Sequence, residues 1–320
     1  MRRIAVVTGC AGFIGSNFVN KLLQEGWYVY GIDKATYVAN LDYMSHLSMT
    51  YQNTFKMVYE DISTMSWLPE CDVIFNFAAE SDVDNSAKDC HSFVQSNIQG
   101  VQNLLSIINN KVVIRADKPL FFQMSTDEVY GDIASGSFDE TSRLNPSNPY
   151  AATKASADLL IQSWARTHGL DYIIARPSNN YGPNQYPEKL IPLAVKKLQR
   201  NKKIKLHNNG TPVRTWTHVA DTVSAILAIY EKGKRNSIYN ISSEFECTNR
   251  ETVELIIASY HYGVTNYNDY IDLSYNRPGQ DIRYSISCQP LKDLGWSAKV
   301  NFHEEVKNLV AIYQYKGIVW

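Results

Sequence analysis

The chain has 320 residues, of which 44% are hydrophobic and 20% are charged, and its formal net charge is −1. This composition is typical of a soluble globular protein with a sizeable buried core, in one large domain or two closely packed ones. The near-neutral charge provides no electrostatic basis for binding nucleic acid or an anionic membrane surface, and no stretch approaches the ~20 apolar residues of a membrane span.

The cysteines and histidines predict neither a disulfide framework nor a metal site. The five cysteines are scattered along the chain without a Cys-x-x-Cys pair, which favours reduced, mostly buried thiols and a cytoplasmic location. The seven histidines do not fall into ligand spacings; we therefore predict no metal site. The apolar run after Arg2 and Arg3 ends at Thr8, which is too short for a signal peptide.

The first half of the chain alternates short apolar runs with longer amphipathic stretches. Strands are predicted over residues 3–8, 27–32, 55–59, 73–77, 120–124 and 172–175. Helices are predicted over residues 13–25, 86–109 and 148–168. Continuous apolar strands separated by helices indicate a parallel sheet that is covered on both faces. The predicted fold class is therefore α/β, a Rossmann-type doubly wound parallel sheet with a smaller C-terminal substrate-binding region.

The composition of the sequence changes after Arg176 and Pro177, where Pro, Asn and Gly cluster and the predicted elements become shorter. We therefore expect a first domain over residues 1–176. The second region, 177–320, is expected to bind mainly the substrate and to return some elements to the first domain.

A glycine motif between the first strand and the first helix predicts a dinucleotide site. Gly9, Gly12 and Gly15 are spaced as Gly-x-x-Gly-x-x-Gly, with Phe13 and Ile14 inside the motif. Glycine allows a tight turn and close approach of the backbone to a pyrophosphate, and the helix N-terminus attracts the anion. Asp33 ends the second strand, where a carboxylate binds ribose hydroxyls and repels a 2′-phosphate. The motif therefore predicts NAD rather than NADP.

Two further turns are expected beside the dinucleotide. Asp61 and Ile62 follow the third strand, and Ala78, Ala79 and Glu80 follow the fourth. Small residues permit close approach of a ligand, although small residues also serve turn packing alone.

Tyr150 and Lys154 are four residues apart, so they share one face of a predicted helix. An ammonium group beside a phenol stabilises the phenolate, and we expect Lys154 to lower the Tyr150 pKa and make it a general base. Alone, the pair occurs often by chance. Its position after a dinucleotide motif and after Ser125-Thr126, at the end of a central strand, favours a nicotinamide enzyme that oxidises an alcohol.

Asp127 and Glu128 follow that same strand. Adjacent carboxyl groups in a cleft that excludes water do not both ionise cheaply, so one tends to keep its proton. An acid and a base then lie side by side. Combined with alcohol oxidation, this pair points to elimination of water from a sugar; a solvated turn is the alternative.

The whole chain resembles the nucleoside-diphosphate-glucose 4,6-dehydratases of the extended short-chain dehydrogenase/reductase family. The first motifs that carry the resemblance are the glycine motif, Asp33-Lys34-x-Thr36-Tyr37, Ala78-Ala79-Glu80-Ser81 and Ser125-Thr126-Asp127-Glu128-Val129-Tyr130-Gly131. The others are Tyr150-Ala151-Ala152-Thr153-Lys154, Ser178-Asn179-Asn180-Tyr181-Gly182-Pro183, Pro187-Glu188-Lys189-Leu190-Ile191-Pro192 and Arg277-Pro278-Gly279. The acid pair is the specific part, because related epimerases lack it.

The resemblance implies a role for each catalytic residue. Tyr150, assisted by Lys154 and Thr126, removes the proton of the sugar 4-hydroxyl while a hydride leaves carbon 4. Glu128 then takes the proton on carbon 5, and Asp127 protonates the departing 6-hydroxyl. The hydride returns to carbon 6, so NAD is regenerated.

The resemblance also implies binding residues and a homodimer. It adds Lys34, Thr36, Asn97, Ser125, Tyr150 and Lys154 to the cofactor site. It implies substrate contacts at Ser81, Thr126, Asn179, Lys189, Leu190, Pro192, Arg214, Asn249 and Arg277. Relatives pair through two long helices per subunit, which here correspond to residues 86–109 and 148–168.

The chain departs from the family pattern at Asp82, Thr215 and Gln280, so the nucleotide is left open between dTDP and UDP. The leading hypothesis is a dTDP-glucose 4,6-dehydratase, with a UDP-glucose 4,6-dehydratase as the alternative. A nucleotide-sugar 4-epimerase needs Tyr150 and Lys154 but not the acid pair. A non-catalytic binding protein ranks last, because every catalytic residue type is present.

Overall fold

A seven-stranded parallel sheet forms the centre of the computed structural model, which describes residues 2–110, 118–275 and 281–316. The strands are β1 (Ile4–Thr8), β2 (Tyr28–Asp33), β3 (Phe55–Tyr59), β4 (Val73–Asn76), β5 (Leu120–Met124), β6 (Tyr172–Pro177), β7 (Asn179–Tyr181), β8 (Ile204–His207), β9 (Val213–His218), β10 (Ser237–Ile241), β11 (Glu246–Thr248) and β12 (Ile271–Tyr275). The strand order in the central sheet is β10-β6-β5-β4-β1-β2-β3. All of its pairings are parallel, and the order in which strands are added reverses between β1 and β4, which defines a doubly wound fold.

Helices cover both faces of this sheet. They are α1 (Phe13–Gln24), α2 (Leu41–Thr50), α3 (Val83–Lys88), α4 (His91–Phe93), α5 (Gly100–Asn110), α6 (Pro149–His168), α7 (Leu190–Gln199), α8 (Val219–Lys232), α9 (Asn249–Tyr260), α10 (Gln289–Asp293) and α11 (Phe302–Lys316). One face packs against α1, α2, α8 and α10, and the other against α5 and α6. In the ranges that the structure describes, no helix is both long enough and apolar enough to cross a membrane.

The predicted fold class is confirmed, and the six predicted strands agree with the observed ones within two residues. Their residues are buried on both faces, as in β4 and β5, where every residue is buried. This double burial produces the continuous apolar runs that made these strands predictable. The seventh strand, β10, was not predicted. It is short, contains polar Ser237 and Asn240, and pairs with β6 in parallel register.

The prediction of one helix over residues 86–109 is wrong. Helix α3 ends before Asp89, whose backbone is extended at φ −152° and ψ 112°. Helix α4 then leads into a π-helical turn, Val94–Gln99, before α5 begins at Gly100. Apolar periodicity does not detect such a turn, which widens the backbone spiral by one residue and is frequent at functional sites.

Helix α6 has the sequence signals that made its ends predictable. The Asn148 side chain caps its N-terminus by accepting a hydrogen bond from the Ala151 amide at 2.9 Å, and Pro149 occupies the first turn. Gly169 ends the helix in the left-handed region, at φ 64°. A polar cap, an early proline and a terminal glycine are the standard signals of helix ends.

The C-terminal part contributes to both the central sheet and a second core. Strands β7, β9 and β11 form a small sheet, and β8 pairs with β12. Helices α7, α9 and α11 pack around these strands. Strand β9 links the two parts, because its Thr217 hydroxyl hydrogen-bonds with the hydroxyl of Ser178, directly after β6, at 2.8 Å.

We predict that Gly31→Ala in the middle of β2 lowers the free energy of unfolding by about 1–3 kcal/mol. An added Cβ would lie 2.8 Å from both the Cys10 sulfur and the Phe55 ring, so the packed layer would have to shift. Urea unfolding followed by fluorescence measures the change. An unchanged midpoint would show that this layer has room for a methyl group.

Candidate functional site

A cleft opens between the carboxyl ends of β1 and β4, where the order of the strands in the central sheet reverses. It opens to solvent with about 550 Å³ of empty space between its walls. Its walls include Gly9, Gly12, Ile32, Asp33, Lys34, Thr36, Asp61, Ile62, Ala78, Ala79 and Glu80. The structure thus brings together the predicted cofactor residues from four separate loops. This is where doubly wound sheets bind dinucleotides.

The glycine turn leaves no room for larger residues at its first position. The Gly9 amide donates to the Ile32 carbonyl at 2.8 Å, and its φ is 66°. A Cβ on Gly9 would lie 2.6 Å from the Ala78 nitrogen, so only glycine lets the loops after β1 and β4 meet. Phe13, Ile14 and Gly15 begin helix α1 behind this turn and do not line the cleft.

Asp33 is held at the end of β2 by two backbone amides. Its Oδ2 accepts from Ala11 at 3.0 Å and its Oδ1 from Ala35 at 2.8 Å. Burial raises the pKa of Asp33, and the two amides act against that shift. Each carboxylate oxygen keeps a further lone pair toward the cleft, which suits ribose hydroxyls.

Lys34 joins three sides of the cleft. Its ammonium group donates to the Ser96 hydroxyl at 2.8 Å and lies 3.4 Å from a Glu80 oxygen and 3.9 Å from an Asp61 oxygen. Ser96 also lines the cleft and was not predicted. It lies in the π-helical turn, which a periodic sequence pattern does not reveal.

Asn97, from the same turn, connects the cofactor loop to helix α6. Its side chain accepts from the Glu80 amide at 2.9 Å and donates to the Glu80 carbonyl at 3.0 Å. It also donates to the Thr153 hydroxyl at 2.9 Å. Asn97 therefore lies behind the cleft wall and fixes the loop that carries Ala78 to Glu80.

The predicted catalytic residues meet where α6 packs on the end of β5. The Lys154 ammonium donates to the Met124 carbonyl at 2.6 Å, and the Ser125 hydroxyl donates to Asp158 of α6 at 2.9 Å. Thr126 then caps a 3₁₀ turn, Asp127–Tyr130, that contains both carboxylic acids. The structure thus places Ser125, Tyr150 and Lys154 beside the acid pair, beyond the walls of the cofactor cleft.

The two carboxyl groups of the acid pair have different surroundings. Asp127 is 3% exposed, and its Oδ2 has no hydrogen-bond partner. Burial, with a contribution from the nearby Glu128 charge, raises the pKa of Asp127 to about 8. Glu128 is half-buried, and its Oε2 accepts from the side-chain Nδ2 of Asn148 at 3.2 Å. Burial raises the Glu128 pKa, and Asn148, Arg214 and Lys189 act in the opposite direction.

The expected effect of Lys154 on Tyr150 is absent from this structure. Burial and the charge of Glu128 raise the pKa of Tyr150, while a hydrogen bond with Thr126 acts downward. Burial also lowers the pKa of Lys154 to about 8, and Asp158 opposes that change. The low dielectric around the pair therefore outweighs the mutual stabilisation that helical spacing suggested.

On the substrate side, the positive charges of Arg214 and Lys189 act to lower the pKa of Glu128. The Arg214 guanidinium lies 4.5 Å from the centre of the Tyr284 ring and donates to the Asp281 carbonyl at 3.2 Å. The Lys189 ammonium donates to the Ser81 carbonyl at 3.1 Å. These contacts fix two cations, on different elements, whose charges act on Glu128.

The other predicted substrate residues lie on separate elements of the C-terminal part. Leu190 and Pro192 begin α7, and Asn179 is in β7 with a buried Oδ1 that lacks a partner. Asn249 begins α9, where its amide donates to the Pro212 carbonyl at 3.0 Å. Arg277 lies outside the described residues.

Sequence reasoning missed Asn148 and Asp158. Both had a signal: Asn148 precedes Pro149 at a helix start, and Asp158 lies four and eight residues after Lys154 and Tyr150, on the same helix face. In the described ranges, no cluster of His, Cys, Asp and Glu could hold a metal ion.

Comparisons with known proteins agree with this geometry. The model of the family described as GDP-mannose 4,6 dehydratase matches residues 6–309. The low-salt glycan biosynthesis protein Agl12 of Haloferax volcanii is 38% identical over 96% of this chain and 97% of its own length. A dTDP-glucose 4,6-dehydratase of Streptomyces niveus is 37% identical over 98% of this chain and 94% of its own.

A solved structure extends the similarity to the fold. DesIV, a dTDP-glucose 4,6-dehydratase from Streptomyces venezuelae with NAD bound, superposes with a TM-score of 0.89 at 36% identity, over 98% of this chain and 97% of its own. The chain therefore belongs to the GDP-mannose 4,6-dehydratase family and is a nucleotide-sugar 4,6-dehydratase of the extended short-chain dehydrogenase/reductase type.

Proposed function

We propose that the protein is an NAD-dependent dTDP-glucose 4,6-dehydratase, which converts dTDP-glucose to dTDP-4-keto-6-deoxyglucose and water. One observation carries this proposal: the buried, proton-retaining Asp127 lies beside Glu128, at the strand end where Tyr150 and Lys154 converge. Relatives named as dTDP-glucose 4,6-dehydratases, at 35–37% identity over nearly the whole chain, support the nucleotide.

The residues of the cleft fit NAD. Gly9 provides a turn that any Cβ would fill, and Asp33 presents a fixed carboxylate at the place of the adenosine ribose. Lys34, Thr36, Asp61, Ile62, Ala78, Ala79 and Glu80 would hold the rest of the cofactor. When bound, NAD supplies the hydride acceptor for carbon 4 and the hydride donor for carbon 6.

The protein residues move the protons. Tyr150, with Thr126 and Lys154 beside it, takes the proton of the 4-hydroxyl as that carbon is oxidised. The resulting ketone acidifies the proton on carbon 5, which Glu128 removes. Asp127 donates its proton to the 6-hydroxyl, which leaves as water. As carbon 6 is then reduced, Glu128 returns a proton, exchangeable with the solvent, to carbon 5. The raised pKa of Asp127 and the Asn148 hydrogen bond to Glu128 support this division into acid and base.

UDP-glucose remains the alternative substrate. Arg214 and Lys189 suit a diphosphate, because cations near the acid pair bind phosphate oxygens without reading the base. Two positions that depart from the family pattern have local roles: Asp82 caps α3, and the Thr215 hydroxyl donates to the Tyr284 carbonyl at 3.0 Å. The third, Gln280, lies outside the described residues.

We also infer a homodimer in the cytoplasm that serves deoxysugar biosynthesis, of which rhamnose formation is an example. Leu159 of α6 is 58% exposed, and Leu160 and Trp164 of α6 and Ile107 of α5 are only partly buried. Apolar side chains that remain accessible on two adjacent helices support pairing through these helices. The free cysteines Cys10, Cys71, Cys90, Cys247 and Cys288 support a reducing compartment.

The function is tested by incubating the purified protein separately with dTDP-glucose and UDP-glucose, without added NAD, and weighing the products by mass spectrometry. We expect dTDP-glucose to lose one water with no net change in nicotinamide absorbance. Preferential loss of water from UDP-glucose would move the assignment to the alternative nucleotide. Unchanged mass in both, also after NAD is added, would contradict a dehydratase.

The acid pair separates elimination from epimerisation. We predict that Asp127→Asn and Glu128→Gln each lower kcat for water loss at least ~100-fold, because an amide neither donates nor accepts the transferred proton. NAD content and KM should stay close to wild type. In Glu128→Gln, deuterium from the solvent should no longer enter at carbon 5.

Two results would contradict these roles. Solvent deuterium that enters carbon 5 at the wild-type rate in Glu128→Gln would exclude Glu128 as the base. A double Asp127→Asn, Glu128→Gln variant that interconverts 4-epimers at the wild-type rate would show that the enzyme is an epimerase.

A further inference from the structure

A chain of buried polar groups lies beneath the candidate catalytic residues. Asp158 of α6 is 0% exposed, and its Oδ2 accepts from the Ser125 hydroxyl and from Arg176 Nε, both at 2.9 Å. Arg176 of β6 is 1% exposed and donates to the Tyr130 hydroxyl at 2.8 Å. That hydroxyl donates to Asn240 of β10 at 2.9 Å. No assigned catalytic step uses Asp158, Arg176 or Tyr130.

Asp158 connects the two halves of the catalytic machinery. On its own helix it lies one turn beyond Lys154 and two turns beyond Tyr150, on the same face. Its hydrogen bond with Ser125 fixes the residue that precedes Thr126. Through Arg176 it holds Tyr130, which ends the 3₁₀ turn that carries the acid pair. One carboxylate therefore contacts both the end of β5 and, through Arg176, the turn that carries the acids.

A stabilising ion pair is the simpler explanation, but it accounts poorly for this arrangement. The Asp158 Oδ1 is buried without a partner, and burying a charged pair costs about as much as its attraction returns. An apolar pair of similar volume would hold α6 on β6 at least as well. The negative charge of Asp158 is explained better by Lys154, because that buried ammonium group needs a nearby negative charge.

We propose that Asp158 is a positioning residue, which fixes the Tyr150–Lys154 helix against the acid turn and supplies the negative charge opposite Lys154. This inference rests on the proposed dehydratase function and adds a residue to it. Asp158 acts through Ser125, Lys154 and Arg176, not on the sugar.

The charge of Asp158 acts on several titratable groups. These are Lys154 and Tyr150 on α6, and Arg176 and Tyr172 on β6. It opposes the burial that lowers the Lys154 pKa to about 8, and it adds to the burial that raises the Tyr150 pKa. Removing the charge should therefore lower both pKa values. The alkaline limb of the kcat profile, where Lys154 loses its proton, should move to lower pH.

The test is the pH profile of kcat for Asp158→Asn. The alkaline limb should move to lower pH by about one unit, so that kcat at pH 8 falls about 5-fold. KM and NAD content should remain within about two-fold of wild type. A merely structural residue would lower the melting temperature without moving the limbs.

Asp221→Asn is the matched control. Asp221 is 4% exposed, and its two oxygens accept from the Lys299 and Val300 amides, both at 3.0 Å. Its loss should lower the melting temperature and leave the pH profile of kcat unchanged. A folded Asp158→Asn variant with wild-type limbs and wild-type kcat would overturn the proposal.

Tyr130→Phe decides the matter if Asp158→Asn does not fold. It keeps the ring and removes only the hydroxyl between Arg176 and Asn240, so the acid turn loses its tie to Asp158. We expect kcat to fall about 3- to 10-fold with KM unchanged. A wild-type kcat in this variant would contradict the positioning role. Absence of water loss in the wild-type enzyme would instead refute the proposed function.

Discussion

The hydrogen bond from the buried Lys154 ammonium to the Met124 carbonyl fastens helix α6 to the end of the central strand β5. A buried cation is costly unless it is paired or hydrogen-bonded. This contact satisfies it at the one point where helix and strand can bring Tyr150, the acid pair and the cofactor cleft together. Asn97 reinforces the same junction from the other side, because it joins the Glu80 loop to Thr153 of α6. The site thus depends on a helix that is fixed to the sheet by polar contacts.

The acid pair shows how two similar carboxyl groups acquire different properties from their surroundings. Asp127 and Glu128 are neighbours in sequence, yet one is buried with an unpartnered oxygen and the other receives an amide hydrogen bond and the influence of two cations. Burial raises the pKa of both groups and, with the nearby Glu128 charge, brings that of Asp127 to about 8, so that Asp127 keeps its proton at neutral pH. In the proposed mechanism, this one turn adds elimination to a fold that otherwise oxidises and reduces a sugar carbon.

The sequence predicted the parts of the fold whose physics is local. Strands buried on both faces have continuous apolar runs, and Asn148, Pro149 and Gly169 mark the ends of α6. The π-helical turn and the short strand β10 were missed, because neither leaves a periodic apolar pattern. For the site, the glycine motif was predictable because the turn at Gly9 has a positive φ and no room for a Cβ. Asp33 was predictable from its position at the end of the second strand.

What could not be predicted from the sequence depends on long-range partners. The direction of the Tyr150 pKa shift follows from how deeply the residue is buried, which helical spacing does not reveal. The contact of Asp158 with Arg176 joins residues from a helix and the following strand, and only the folded chain brings them within 2.9 Å. The roles of the binding residues remain predictions, and Arg277 lies outside the described residues.

The central claim is that oxidation at carbon 4, elimination, and reduction at carbon 6 occur in one site with one retained hydride. It is tested most directly with dTDP-glucose deuterated at carbon 4, converted by the enzyme in ordinary water and analysed by NMR. The account predicts that the product carries the deuterium at carbon 6. Deuterium lost to the solvent, or retained at carbon 4 of an epimerised sugar, would contradict it.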